Sequence, residues 1–80
     1  FLYLGVSQLE LENYTEALKN FQKIIDSKTM DQSKGYWYKA LTYLKMDDRE
    51  NAIKEFEISA YSPKHFNHVE ARELLKELKK

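Results

Sequence analysis

A chain of 80 residues with 42% hydrophobic content is long enough for one domain with a thin core and too short for two. Its 13 Lys+Arg balance 13 Asp+Glu, which removes the cationic excess that nucleic-acid phosphates select, and the absence of cysteine rules out a disulfide frame or a thiolate zinc site. No run approaches the roughly 18–20 apolar residues that span a bilayer, and no signal-peptide pattern is present. The chain opens on Phe1 instead of Met, which suggests a piece of a longer protein, and the composition suits cytoplasm and periplasm alike.

Gly and Pro are scarce, two and one, so helix boundaries have to be read from capping residues and polar clusters. Leu2, Tyr3, Val6 and Leu9 recur at helical spacing up to Leu11. Asn13 followed by Glu16 reads as a reciprocal cap: the Asn13 side chain accepts from an orphan backbone N–H, and Glu16 reaches back to the Asn13 amide. The second helix then carries Ala17, Leu18, Phe21, Ile24 and Ile25, and Asp26 to Asp31, without apolar period, reads as a loop. A third helix presents Tyr36, Trp37, Ala40, Leu41, Tyr43, Leu44 and Met46. Asp47 and Asp48 break it and cap a fourth, with Ala52, Ile53, Phe56 and Ala60. Ser62-Pro63 stops that helix, since proline has no N–H for the next backbone bond. Asn67 with Glu70 repeats the capping pair and opens a fifth helix, in which Ala71, Leu74, Leu75 and Leu78 fall at i, i+3, i+4 and i+7. No window alternates with period two, so the fold class is all-α.

Five such helices suit either a bundle or a solenoid, and internal self-similarity decides between them. A shift of 35 residues lays Tyr3 on Tyr38, Leu9 on Leu44, Ala17 on Ala52, Lys19 on Lys54 and Phe21 on Phe56. Similar residues fill the gaps: Phe1 with Tyr36, Gly5 with Ala40, Val6 with Leu41, Asn13 with Asp48 and Leu18 with Ile53. Antiparallel helices approach closely only where both lack bulk, and Gly5/Ala17 and Ala40/Ala52 supply that crossing twice. Phe21 and Phe56 follow one turn on, suited to the groove between hairpins.

With these residues on the page, the chain resembles tetratricopeptide repeats, helix–turn–helix units of about 34 residues. Leu4-Gly5, Asn13-Tyr14, Glu16-Ala17 and Phe21 carry the likeness in the first unit, and Tyr36, Ala40, Tyr43, Asp48, Ala52, Phe56 and Pro63 in the second. It covers Phe1 to about Lys64, and the segment from Trp37 to Ala52 with the Leu-rich tail is similar to repeats of bacterial, Bacteroidetes-like proteins. Gln8 stands where the family usually has an aromatic, Lys39 replaces a usual leucine, and the first unit lacks its closing proline. The resemblance implies a right-handed helical-hairpin solenoid in a single domain: residues 1–30 as one unit, 31–64 as a second, and 65–80 as a capping helix or partial third unit.

The chemistry-bearing candidates are few. His65 and His68 are the best metal pair, with Glu70 or Glu73 as a third ligand. His65 precedes the cap at Asn67, so the two rings straddle a junction, and no metal is expected. Glu10 with Glu12, Asp47 with Asp48, and Glu70 with Glu73 lie at helix starts or on polar faces, where they complement the dipole instead of sitting desolvated as acid–base work requires. With no Gly-rich phosphate loop, nucleophile elbow or Ser/His/Asp set, no catalytic residue and no cofactor is expected, and the chain reads as a non-enzyme.

Tyr36, Trp37 and Tyr38 point roughly 100° apart on one helix, so they cannot all be core. Tyr36 is expected between the helices of its own hairpin. Trp37 shares a side with Lys34, Leu41, Leu44 and Lys45, the side that the resemblance assigns to a concave groove; Leu2, Val6, Leu9 and Glu10 take the equivalent face of the first unit. An exposed Trp among aliphatics and lysines suits a partner anchor; the alternative is that Trp37 fills a small core. The Lys and Asn that clamp a peptide carboxylate in some relatives are replaced by Leu2, Val6 and Tyr38, so that binding mode is not implied. Lys76, Lys79 and Lys80 interleave with Glu73 and Glu77 as a solvated face. The function expected is a non-enzymatic interaction module that takes an amphipathic or acidic peptide, or a protein, on Leu2, Val6, Leu9, Lys34, Trp37, Leu41, Leu44 and Lys45. No nucleic acid and no membrane insertion are expected, and the end helices offer a route to a homo-oligomer. The alternatives are a spacer or assembly arm of a larger bacterial protein, and an appendage of an enzyme whose chemistry lies elsewhere.

Overall fold

The computed structural model describes residues 2–80 and consists of α1 (Leu2–Glu10), α2 (Tyr14–Ser27), α3 (Gln32–Lys45), α4 (Arg49–Ala60) and α5 (His68–Leu78). Phe1, matched to Tyr36 in the internal repeat, lies outside the described residues. α2 runs through Asp26 and Ser27, so the expected loop shortens to Lys28–Asp31. Each helix packs on the next in the chain, and α1 also touches α3. The Cα envelope measures 31 × 27 × 15 Å, a slab rather than a bundle wrapped around one core. Accordingly the apolar interior is split. Leu9, Ala17, Phe21 and Ile24 form one buried cluster, and Trp37, Ala40, Ala52, Phe56, Ala60 and Ala71 form the other. Tyr38 and Leu41 pack against both and join them. A chain whose helices meet mainly their neighbours is a helical-hairpin repeat.

The two hairpins turn in the same way. After α1, Glu12 adopts the left-handed conformation at φ 63°, its N–H donates to Leu9 O at 3.1 Å, and Asn13 N–H donates to Gln8 O at 2.8 Å. After α3, Asp47 at φ 62° donates to Leu44 O at 3.0 Å, and Asp48 donates to Tyr43 O at 2.8 Å. This is the Schellman pattern that closes a helix on a left-handed residue, usually glycine. A side chain there costs about 1–2 kcal/mol, less for Asp than for Glu, partly offset by the extra entropy glycine brings to the unfolded chain. Glu12→Gly is therefore expected to stabilise the protein by about 1 kcal/mol and Asp47→Gly by about 0.5 kcal/mol. Each should raise the thermal midpoint, and a lowered midpoint in both would reject this account of the turns.

Two of the three expected caps act differently from the sequence expectation. Asp48 does accept from the Asn51 backbone N–H at 3.3 Å, and also from Asn51 Nδ2 at 2.7 Å. Asn13 caps with its backbone alone, its carbonyl accepting from Ala17 at 3.0 Å, and the Glu16 carboxylate, instead of reaching back, pairs with Lys19 at 3.3 Å. Asn67 makes no side-chain cap either. It sits at φ 55°, whereas a capping side chain needs extended backbone to reach the N–H groups.

Close helix approach falls on glycine. A Cβ on Gly5 would lie 2.6 Å from Phe21 Cε1, so the ring, one turn beyond Ala17, occupies the space a side chain would need. Gly35 has the same role for α2 and α3: its Cβ would stand 3.0 Å from the Phe21 carbonyl oxygen and 2.8 Å from Ile25. Ala40 and Ala52 are both fully buried in one cluster. Phe21 stacks on Tyr38 of the next hairpin at 5.6 Å between centroids, as a groove-filling ring should.

The departures from the family pattern are compensated by polar contacts. Gln8, in place of an aromatic, accepts from Asn20 Nδ2 at 2.7 Å and ties α1 to α2. Lys39, in place of leucine, donates to Gln22 at 2.6 Å and faces Glu55 at 3.6 Å, linking α3 to α2 and α4. Asn20 and Glu55 are themselves one repeat apart. The same internal position thus meets a neutral partner in one hairpin and a cation in the other, the partners coming from different positions of the first helix.

Candidate functional site

The face selected from sequence is only partly continuous in space. Leu2, Val6, Leu9 and Leu41 meet around the first cluster, with Leu9 buried and the other three half-buried. Leu41 and Leu44 border the second cluster beside Trp37. Leu41 therefore stands between the half-buried Leu2 and Val6 of α1 at the first cluster and the half-buried Leu44 of α3 at the second. Lys45 is exposed at the end of α3 and packs into neither cluster. Lys34 is tied down within the chain: its Nζ lies 3.4 Å from Asp31 and 5.6 Å from the centroid of the Phe66 ring.

Trp37 is not the exposed anchor that its register suggested. It is 8% exposed, and its ring meets Phe56 edge-on at 5.4 Å in the second cluster. The reason is α5, which brings Ala71, Leu74, Leu75 and Leu78 onto that cluster. Tyr36 also differs from expectation: it is half-buried and belongs to neither cluster, while Tyr38, equally half-buried, packs against both and stacks between Phe21 and Phe66. Three consecutive aromatics divide by angle, as they must: Trp37 is buried, Tyr38 is half-buried between the two clusters, and Tyr36 belongs to neither.

Sequence reasoning missed the residues that complete the surroundings of Trp37. Glu70, Glu73, Leu74, Lys76 and Glu77 of α5 line an open cleft of about 600 Å³ together with Trp37. The signal was present: Glu70, Glu73, Leu74 and Glu77 stand at i, i+3, i+4 and i+7, one residue behind the apolar stripe that begins at Ala71. Leu44, Asp47, Arg49 and Leu78 border a smaller hollow of about 270 Å³. There Arg49 Nε donates to the Leu78 carbonyl at 2.8 Å, a cation capping the C-terminal end of α5.

Glu10, Glu12 and Asp47 are exposed at turns, and Asp48 is engaged as a helix cap. His65 Nδ1 lies 2.8 Å from the Ile58 carbonyl oxygen, which can only accept, so that nitrogen carries its hydrogen. Among the described residues no three His, Cys, Asp or Glu side chains come together as a metal site. Nor is any helix among them long and apolar enough to cross a membrane.

A family model described as tetratricopeptide repeat matches residues 1–27, the span of α1 and α2. The chain carries a tetratricopeptide-like repeat. The match ends with the first hairpin; the second follows it in turn geometry and in the 35-residue correspondence. Tetratricopeptide repeats serve in general as protein–protein interaction modules and are typically non-enzymatic. No curated protein and no solved structure matches the chain, and nothing supports a Bacteroidetes-like origin for the repeat.

Proposed function

We propose that this repeat is a non-enzymatic interaction module that binds a protein or peptide across α1 and α3. The observation that carries the reading is that the aliphatics Leu2, Val6, Leu41 and Leu44, on the first helices of consecutive units, are only half-buried. Apolar area of that kind supplies burial on binding, and repeat slabs present it as an extended surface. Trp37 contributes from beneath as a rigid floor, and Lys45 from the rim. Lys34, held by Asp31, is a weaker source of orienting charge than its sequence position implied.

The test is selection of peptides from a displayed random library on the wild-type protein, followed by affinity measurement on Leu41→Glu and Val6→Glu variants checked for unchanged helicity. Selected peptides are expected to lose at least about tenfold in affinity on either variant, in line with the loss of a buried apolar anchor. Peptides that bind both variants as tightly as wild type would reject the surface.

A second reading, as a spacer or assembly arm, rests on α1, where Tyr3 is 87% and Leu4 55% exposed. Tyr3 is one repeat from Tyr38, which stacks on Phe21 of a preceding helix. A self-associating chain in light scattering, dispersed by Tyr3→Glu, would favour this reading over the first.

A further inference from the structure

We infer that the cleft between α3 and α5 accepts a basic side chain, a lysine or arginine within an extended partner peptide. The proposal rests on the interaction-module reading above and gives it a charge preference opposite to the acidic peptide that Lys34 and Lys45 suggested. Trp37 and Leu74 provide an apolar floor, and Glu70, Glu73 and Glu77 surround it with only Lys76 as a counter-charge. Glu77 shares its charge with Lys80 at 3.2 Å, but the carboxylates of Glu70 and Glu73 form no ion pair or side-chain hydrogen bond with another described residue. Lysine and arginine combine a long aliphatic stem with a terminal cation. The stem matches the Trp37–Leu74 floor and the cation the carboxylate rim. An acidic or wholly apolar side chain would leave those carboxylates repelled or desolvated without a partner. The volume of about 600 Å³ lies within the range of sites that hold a side chain or small ligand. The carboxylates sit at the rim, so their contribution falls on charge discrimination and on-rate and is weakened by salt.

The chain holds a single tryptophan, so its fluorescence reports this cleft directly. The probe is a blocked peptide of alternating leucine and arginine, with its leucine–glutamate counterpart as the charge-reversed control. The arginine peptide is expected to shift Trp37 emission saturably and to bind more weakly as salt rises. It should lose roughly tenfold in affinity to the Glu70→Gln/Glu73→Gln double variant while retaining it for Glu50→Gln, an exposed carboxylate on α4. No saturable shift, an unchanged affinity in the double variant, or equal binding of the glutamate peptide would each overturn the proposal. The two readings separate cleanly. If library-selected peptides still depend on Leu41 while the arginine peptide fails, the cleft assignment falls and the interaction surface stands. If the arginine peptide binds, depends on Glu70 and Glu73 and ignores Leu41→Glu, the cleft stands without the wider surface.

Discussion

Trp37→Ala is expected to lower the stability of this domain by about 3–5 kcal/mol, the usual cost of removing a buried aromatic from a packed site. The ring is 8% exposed and lies against Phe56, with Ala71 and Leu74 of α5 in the same cluster. Ala40, Ala52 and Ala71 of the same cluster are already small and have little side chain to move into the space. A domain of this size has a total stability of roughly 4–12 kcal/mol, so the variant should melt far below wild type or be partly unfolded at room temperature. Thermal unfolding by circular dichroism measures this without any partner. A variant melting within a few degrees of wild type would mean that α5 covers Trp37 too loosely for it to be core. In that case Trp37 would return to the role of an exposed anchor.

Lys39→Leu is expected to cost about 2–3 kcal/mol although it restores the residue that the family usually places there. The Lys39 and Glu55 side chains are only 16% and 15% exposed, and Glu55 Oε2 already lacks a hydrogen-bond partner. Removing the ammonium strands a largely buried carboxylate, the situation in which breaking a pair costs far more than the pair contributes. Glu55→Leu alone should be milder, since Lys39 keeps Gln22 at 2.6 Å and a long stem with which to reach water. The double variant Lys39→Leu/Glu55→Leu should recover most of the loss. Its coupling energy in a double-mutant cycle is then about 1–2 kcal/mol. Additive effects in urea unfolding would show that the two residues act independently and that the ion pair holds nothing together.

The sequence by itself determined the helices and their hairpin pairing. Apolar residues at helical spacing and the breaks at Leu11–Asn13, Asp47–Asp48 and Ser62–Pro63 depend on neighbours within a few positions. The 35-residue correspondence is likewise a property of the string, and the equal left-handed turns at Glu12 and Asp47 are its physical expression. What the string left open was which side of α3 would be covered. Register put Trp37 on one side of α3 with Lys34 and Leu41, but register defines a direction around a helix axis and does not say what stands in that direction. Only the docking of α5 decided that Trp37 is walled in and that Glu70, Glu73 and Glu77 are its neighbours. The polar substitutions behaved alike. Gln8 and Lys39 are visible in sequence as departures, yet their partners Asn20, Gln22 and Glu55 stand 12–17 residues away on other helices. Burial and charge pairing are sums over everything within a few ångströms, and in a stacked repeat most of those atoms belong to another helix.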